Sequence, residues 1–194
     1  MKLNLFILAS IFTILGSACN FKKESTGHNH GTSPSATEAV ADTVKKSISK
    51  EEHAQIGGTH FTIKYHAPAV RGRTIWGGLV PYDEVWVTGA HSATSLEIDK
   101  DITINGTKVP SGKYALFTIP GKEQWTIIIN KNWDQHLSDD YDTKEDVTRL
   151  QVKPQTLPNV QERLKYTISQ SGDSKATIDI SWEKVKVTLP VDVY

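Results

Sequence analysis

The segment Ala176-Thr177-Ile178-Asp179-Ile180-Ser181-Trp182 sets an apolar side chain at every second position, and Val185, Val187 and Leu189 continue against Lys184, Lys186 and Thr188. Successive side chains of an extended chain point to opposite faces, so this alternation is that of a strand with one buried face. The same period runs back through the chain. Phe61, Ile63 and Tyr65 alternate with Thr62 and Lys64, Leu96 and Ile98 with Glu97, and Ile102 and Ile104 with Thr103. Trp125, Ile127 and Ile129 line one face of another run, and Leu164, Tyr166 and Ile168 of the next. Tyr114 to Ile119 is apolar on both faces apart from Thr118, which predicts a central strand covered on both sides. No stretch longer than about three turns carries an amphipathic helical pattern.

Turn signals separate the runs at sandwich spacing. Asn105-Gly106 suits the two positive φ angles of a tight hairpin, and Pro110-Ser111-Gly112, Pro120-Gly121-Lys122 and Ser171-Gly172-Asp173 are further breaks. The pattern predicts an all-β chain, an antiparallel β-sandwich of eight or nine strands with Greek-key or jelly-roll-like connections. One domain is expected over residues 56–194, starting near Gly57-Gly58, with a long acidic, irregular piece from Asn132 to about Val147. The single cysteine excludes an internal disulfide, so the core alone must hold the domain. With 22 basic and 22 acidic residues the charges balance, which removes the electrostatic case for nucleic acid.

The N-terminus indicates export. Met1-Lys2 is followed by an apolar run from Leu3 to Leu15, too short for the roughly 20 residues of a membrane span and right for a signal peptide over residues 1–18. Gly16-Ser17-Ala18 precedes Cys19, where bacterial lipoproteins are cleaved and acylated, so Cys19 is the expected lipid attachment and membrane anchor. Cleavage that leaves Cys19 a free thiol is the alternative. Residues 19–55 read as a flexible tether rich in Ser, Thr, Lys, Glu, Ala and Gly, with a weak helix conceivable over Thr43 to Gln55. The expected location is the cell envelope, at the outer membrane, on its periplasmic or surface face.

The segments Arg73-Thr74-Ile75-Trp76-Gly77-Gly78-Leu79-Val80-Pro81-Tyr82 and Val85-Trp86-Val87-Thr88-Gly89-Ala90 resemble the family known as domain of unknown function 2911. So does Val109-Pro110-Ser111-Gly112-Lys113-Tyr114-Ala115-Leu116-Phe117-Thr118-Ile119-Pro120. The resemblance covers about the last two-thirds of the chain. It implies an exported, Bacteroidetes-type lipoprotein and brings no activity with it. The chain departs from it at Val87, where relatives tend to have Arg, and at His91, where they tend to have Asn. Any family site at those positions is altered here.

Chemistry-bearing residues are few. Trp125 and Trp182 share faces with Ile127 and Ile180, as core indoles do, whereas Trp76 beside Gly77-Gly78 and Trp133 in the acidic segment are the candidate stacking platforms for a sugar. His60, His66 and His91 are the candidate metal ligands at a domain end, against the plainer account of exposed polar side chains. No HExxH or CxxC spacing accompanies them. The pair His28 and His30 lies in the tether. The run Asp139 to Asp146 offers hard oxygens for calcium without the spacing of an EF-hand. No nucleophile elbow, phosphate loop or dinucleotide fingerprint is present.

The leading expectation is therefore a binding or interaction module with a polysaccharide or an envelope protein as partner. No cofactor is expected, a divalent metal being the possible exception. The second expectation is a hydrolase with a metal or a carboxylate pair at one end of the sandwich, using Arg73, His66, His91 and Asp146, with Arg73 and Asp146 as a buried ion pair. The third is a structural envelope protein without a small ligand.

Overall fold

The computed structural model describes residues 46–194. The signal peptide of residues 1–18, the anchor Cys19, His28, His30 and the tether as far as residue 45 lie outside the described residues. Ten strands follow in order: β1 (Ile48–Ile56), β2 (Thr59–Ala67), β3 (Ser95–Ile98), β4 (Ile102–Ile104), β5 (Thr107–Val109), β6 (Gly112–Ile119), β7 (Trp125–Asn130), β8 (Asp146–Val152), β9 (Gln155–Gly172) and β10 (Lys175–Asp192). Among these residues a 3-10 turn, Thr143–Glu145, precedes β8.

The strands form two antiparallel sheets, as the alternation predicts. One runs β1-β2-β3-β6-β7-β8 and the other β5-β4-β10-β9. The chain changes sheet after β3, after β5 and after β8, so the ribbon built from β3–β4 and β5–β6 crosses both sheets and closes at Asn105-Gly106. Asn105 and Gly106 have φ of 50° and 74°, the two left-handed positions a tight hairpin requires. Inward side chains of the two sheets meet in one core, where Phe61, Ile63, Leu96 and Ile127 face Tyr166, Ile178, Trp182 and Leu189. The doubly apolar Tyr114–Ile119 run is the central strand β6. Its outer face carries Ala115 and Phe117, which pack with Val87, Ala93 and Ile128 beneath the β2–β3 loop.

Two boundaries differ from the sequence reading. Residues 48–56 are a strand, neither tether nor weak helix, and all nine pair with β2 from Ile48↔Ala67 to Ile56↔Thr59. Gly57-Gly58 is thus the hairpin turn between β1 and β2, with φ of 57° and 74°, and not the start of the domain. The alternation of β1 is hidden because its inward positions include Lys50 and Glu52 and are only half-covered. Charged side chains on an edge strand also discourage edge-to-edge association. The second difference lies at the C-terminus, where the two apolar runs are one strand. In β10 the buried positions are even up to Trp182 and odd from Val187, and the pairing with β9 slips on both sides of Glu183. Glu183 has φ of 54°, so a bulge there inserts the one residue that reverses the phase.

Candidate ligand-binding site

The long β2–β3 connection, residues 68–94, folds over one end of the sandwich. Its first part is a tight turn in which Leu79 N–H donates to Thr74 O at 3.0 Å and Val80 N–H to Ile75 O at 2.9 Å. The turn is so close that a Cβ on Gly78 would lie 2.5 Å from Thr74 O. Gly78→Ala must therefore push backbone against backbone. Its expected cost is about 1–3 kcal/mol, read as a lower unfolding midpoint in urea with an unchanged slope.

The turn carries Trp76 inward, where its half-buried ring packs against the core, which counts against an open stacking platform. Its ring centroid lies 4.8 Å from Trp125, 5.8 Å from Trp86 and 5.8 Å from Trp182, all edge to face. Its buried Nε1–H meets no acceptor among the described residues. Gly77-Gly78 serves the turn and leaves the Trp76 ring half-buried. Trp86 stacks on Trp182 at 5.7 Å and donates Nε1–H to Gly89 O at 3.1 Å.

Beyond the turn the loop is stitched down. Trp86 exchanges two backbone hydrogen bonds with Thr118 of β6, at 2.8 and 3.0 Å. Leu137 N–H in the β7–β8 loop donates to His91 O at 2.7 Å, and Ala93 N–H to Gln135 O at 3.0 Å. The path needs left-handed backbone at five non-glycine residues: Arg71 (φ 51°), Asp83 (61°), Thr88 (53°), His91 (67°) and Leu137 (49°). For the β-branched Thr88 this is a strained state. Its carbonyl accepts from Tyr166 OH at 2.8 Å and from Thr94 Oγ1 at 3.1 Å, and its own Oγ1 lies 3.0 Å from Thr118 Oγ1. Burial pushes the Tyr166 phenol far above its ordinary range, so it stays a donor to Thr88 at any physiological pH. Strain held by surrounding bonds in this way gathers at functional sites.

What these loops enclose is a cavity of about 390 Å³, within the range of small-ligand pockets. Trp86, Trp182 and Val87 line its interior, and Leu79 and Leu137, 48% and 38% exposed, stand at its rim. Among the described residues, Arg71, Arg73 and His91 are its charged or titratable members, and no described aspartate or glutamate lines it. The Arg73 guanidinium is half-buried and is aimed by two carbonyls, Nε donating to Val70 O at 3.1 Å and Nη2 to Ala69 O at 2.6 Å.

The remaining predicted residues are scattered. His66 and His91 do meet, edge to face at 5.2 Å, with His91 on the cavity and His66 on a neighbouring depression of about 220 Å³. His60 does not join them, because it sits six residues away near the opposite end of β2, about 20 Å along the strand. The three-histidine metal set is therefore not formed, and no other group of three such ligands occurs among the described residues. Asp146 is not paired with Arg73 either. It accepts from Arg149 Nε at 2.6 Å, Tyr141 OH at 2.9 Å and Asn130 Nδ2 at 2.8 Å, which spends it on the β7–β8 corner. Asp142 caps the 3-10 turn through Lys144 N–H at 2.9 Å, so this part of the acidic run is structural. Trp133 is 37% exposed on the smaller depression, with Lys113 Nζ 3.5 Å from its ring centroid.

Burial, and then the charge on His91, hold the His66 imidazole below its ordinary range. The folded state therefore takes up this proton later than the unfolded chain does. Stability rises with pH wherever the unfolded state binds more protons, so it is lost as pH falls through about 6.5 and the loss ends below the folded value. His66→Gln is expected to flatten this part of the melting-temperature profile between pH 7 and 5. An identical profile for the variant would remove the effect.

Arg71, Leu137 and the cavity itself were not visible in the sequence. Their signals are slight: two arginines around Gly72, and one leucine in an acidic segment. Fold and site together define an all-β sandwich with a loop-roofed cavity at one end. Residues 47–191 match the family described as protein of unknown function (DUF2911), and the chain belongs to that family. The match starts one residue before β1. Val87 and His91, the two departures from the resemblance, both line the cavity. Comparison with curated proteins and with solved structures finds no match.

Proposed function

We propose that this chain is a ligand-binding module of the cell envelope, anchored through Cys19 at the outer membrane, with the cavity beneath the β2–β3 loop as its site. The observation that carries the reading is the coincidence of an apolar, partly aromatic cavity with three left-handed residues in its walls, Arg71, His91 and Leu137. Of the two partner classes, polysaccharide and envelope protein, a neutral sugar fits less well. It would need an open ring face, and Trp76 is half-buried with three indoles set edge to face against it. The hydrolase reading has Arg73, His66 and His91 near the cavity but no carboxylate in it among the described residues, and Asp146 is engaged elsewhere.

Filling the cavity tests the proposal. Ala90 is half-buried on its wall, and Ala90→Trp would occupy it. Melting curves of the full chain are measured against a panel of oligosaccharides, short peptides and small amphiphiles. A ligand at 100 times its Kd adds about 2.7 kcal/mol. The expected result is a shift for wild type that A90W loses while keeping its unliganded midpoint. A shift that survives A90W would move the site elsewhere. Separately, Cys19→Ser is expected to release the protein from membranes and abolish fatty-acid labelling.

A further inference from the structure

We infer that the cavity takes an organic carboxylate with an apolar body, its head on Arg73. The inference deepens the binding proposal and rests on it. A guanidinium drawn partly out of water gains from a carboxylate beside it, because an uncompensated charge is costly there. Arg73 has none among the described residues, since its bonds go to the carbonyls of Val70 and Ala69. Those carbonyls fix its orientation without neutralising it. The nearby Glu162 accepts Arg71 N–H at 2.9 Å but is exposed and is not part of the cavity wall.

The rest of the lining chooses the body of the ligand. Leu79, Val80, Val87, Leu137 and the Trp86 ring offer apolar contact and few hydrogen bonds. A hydroxyl-covered sugar acid would leave its polar groups unmatched there, whereas an apolar acid would not. A planar carboxylate also matches the fork of a guanidinium better than a point charge does. About 390 Å³ admits an acid of the size of a phenylalkanoate.

The test uses three molecules of one shape and different charge on the full chain: 4-phenylbutyrate, 4-phenylbutanol and 4-phenylbutylamine. Trp86 and Trp182 border the cavity, so their fluorescence reports occupancy. Saturable quenching by the acid is expected, with the alcohol about tenfold weaker or more and the amine without effect. Arg73→Gln should bring the acid down to the level of the alcohol, and Arg73→Lys should restore part of the difference. Glucuronate, with the same charge on a polar body, should bind more weakly than 4-phenylbutyrate. The alcohol binding as tightly as the acid would overturn the anion assignment and leave the cavity as the site. Glucuronate binding more tightly would overturn the apolar body. Quenching by none of the three, or quenching that persists in A90W, would overturn this inference and the cavity reading together.

Discussion

Trp182→Ala is expected to lower stability by about 3–5 kcal/mol, the range for removing a buried tryptophan. The side chain is 1% exposed, stacks on Trp86, meets Trp76 edge to face and donates Nε1–H to Glu162 O at 3.3 Å. It thus joins β10 to the loop and to β9, and its loss leaves a void that stiff neighbouring strands cannot close. In a domain of this size the midpoint should fall on the order of 10 °C in a thermal melt followed by circular dichroism. Trp182→Phe should cost less, since it keeps much of the volume and loses one hydrogen bond. A drop under about 1 kcal/mol for Trp182→Ala would contradict the packing described here.

Asp146→Ala should be the other large loss, at about 2–4 kcal/mol. The carboxylate is only 8% exposed and accepts from Arg149, Tyr141 and Asn130, the last fully buried. Removing it strands these donors at the corner where the β7–β8 loop rejoins the sheet. Burial, and then the hydrogen bond and charge of Asp146, push the Tyr141 phenol up to about 12. The folded chain keeps that proton after the unfolded chain has lost it, so stability falls as pH rises between about 10 and 12. Asp146→Ala should weaken that alkaline slope as well as lower the midpoint in urea. Ligand binding at the cavity should survive in the folded variant, because Asp146 is no part of its wall.

These two residues show what the sequence reveals and what it hides. The even phase of Ala176 to Trp182 placed Trp182 in the core, because alternation reports directly on which face is buried. The same rule split β10 in two, because a bulge at Glu183 reverses the phase and leaves no local mark except in φ. β1 escaped notice since an edge strand with Lys50 and Glu52 on its inner face has no apolar period to read. The first half of β9 is nearly all exposed and was silent for the same reason. At the site, the residue types of Arg73, His66 and His91 were legible, but their partners were not. Which carboxylate a given arginine meets depends on how loops 68–94 and 131–145 fold against each other, and no period encodes that. The packing of Trp76 was not legible, because two glycines signal a turn without saying which way the neighbouring indole faces.

The central claim is that the cavity, and not the exposed Trp133, holds the ligand. The five indole N–H signals in a 15N-correlated NMR spectrum separate the two most directly, titrated with 4-phenylbutyrate. Trp86 and Trp182 border the cavity and Trp133 borders the other depression. The Trp86 and Trp182 signals are expected to move together to saturation while Trp133 stays in place. Movement of Trp133 alone, with Trp86 and Trp182 unchanged, would contradict that claim.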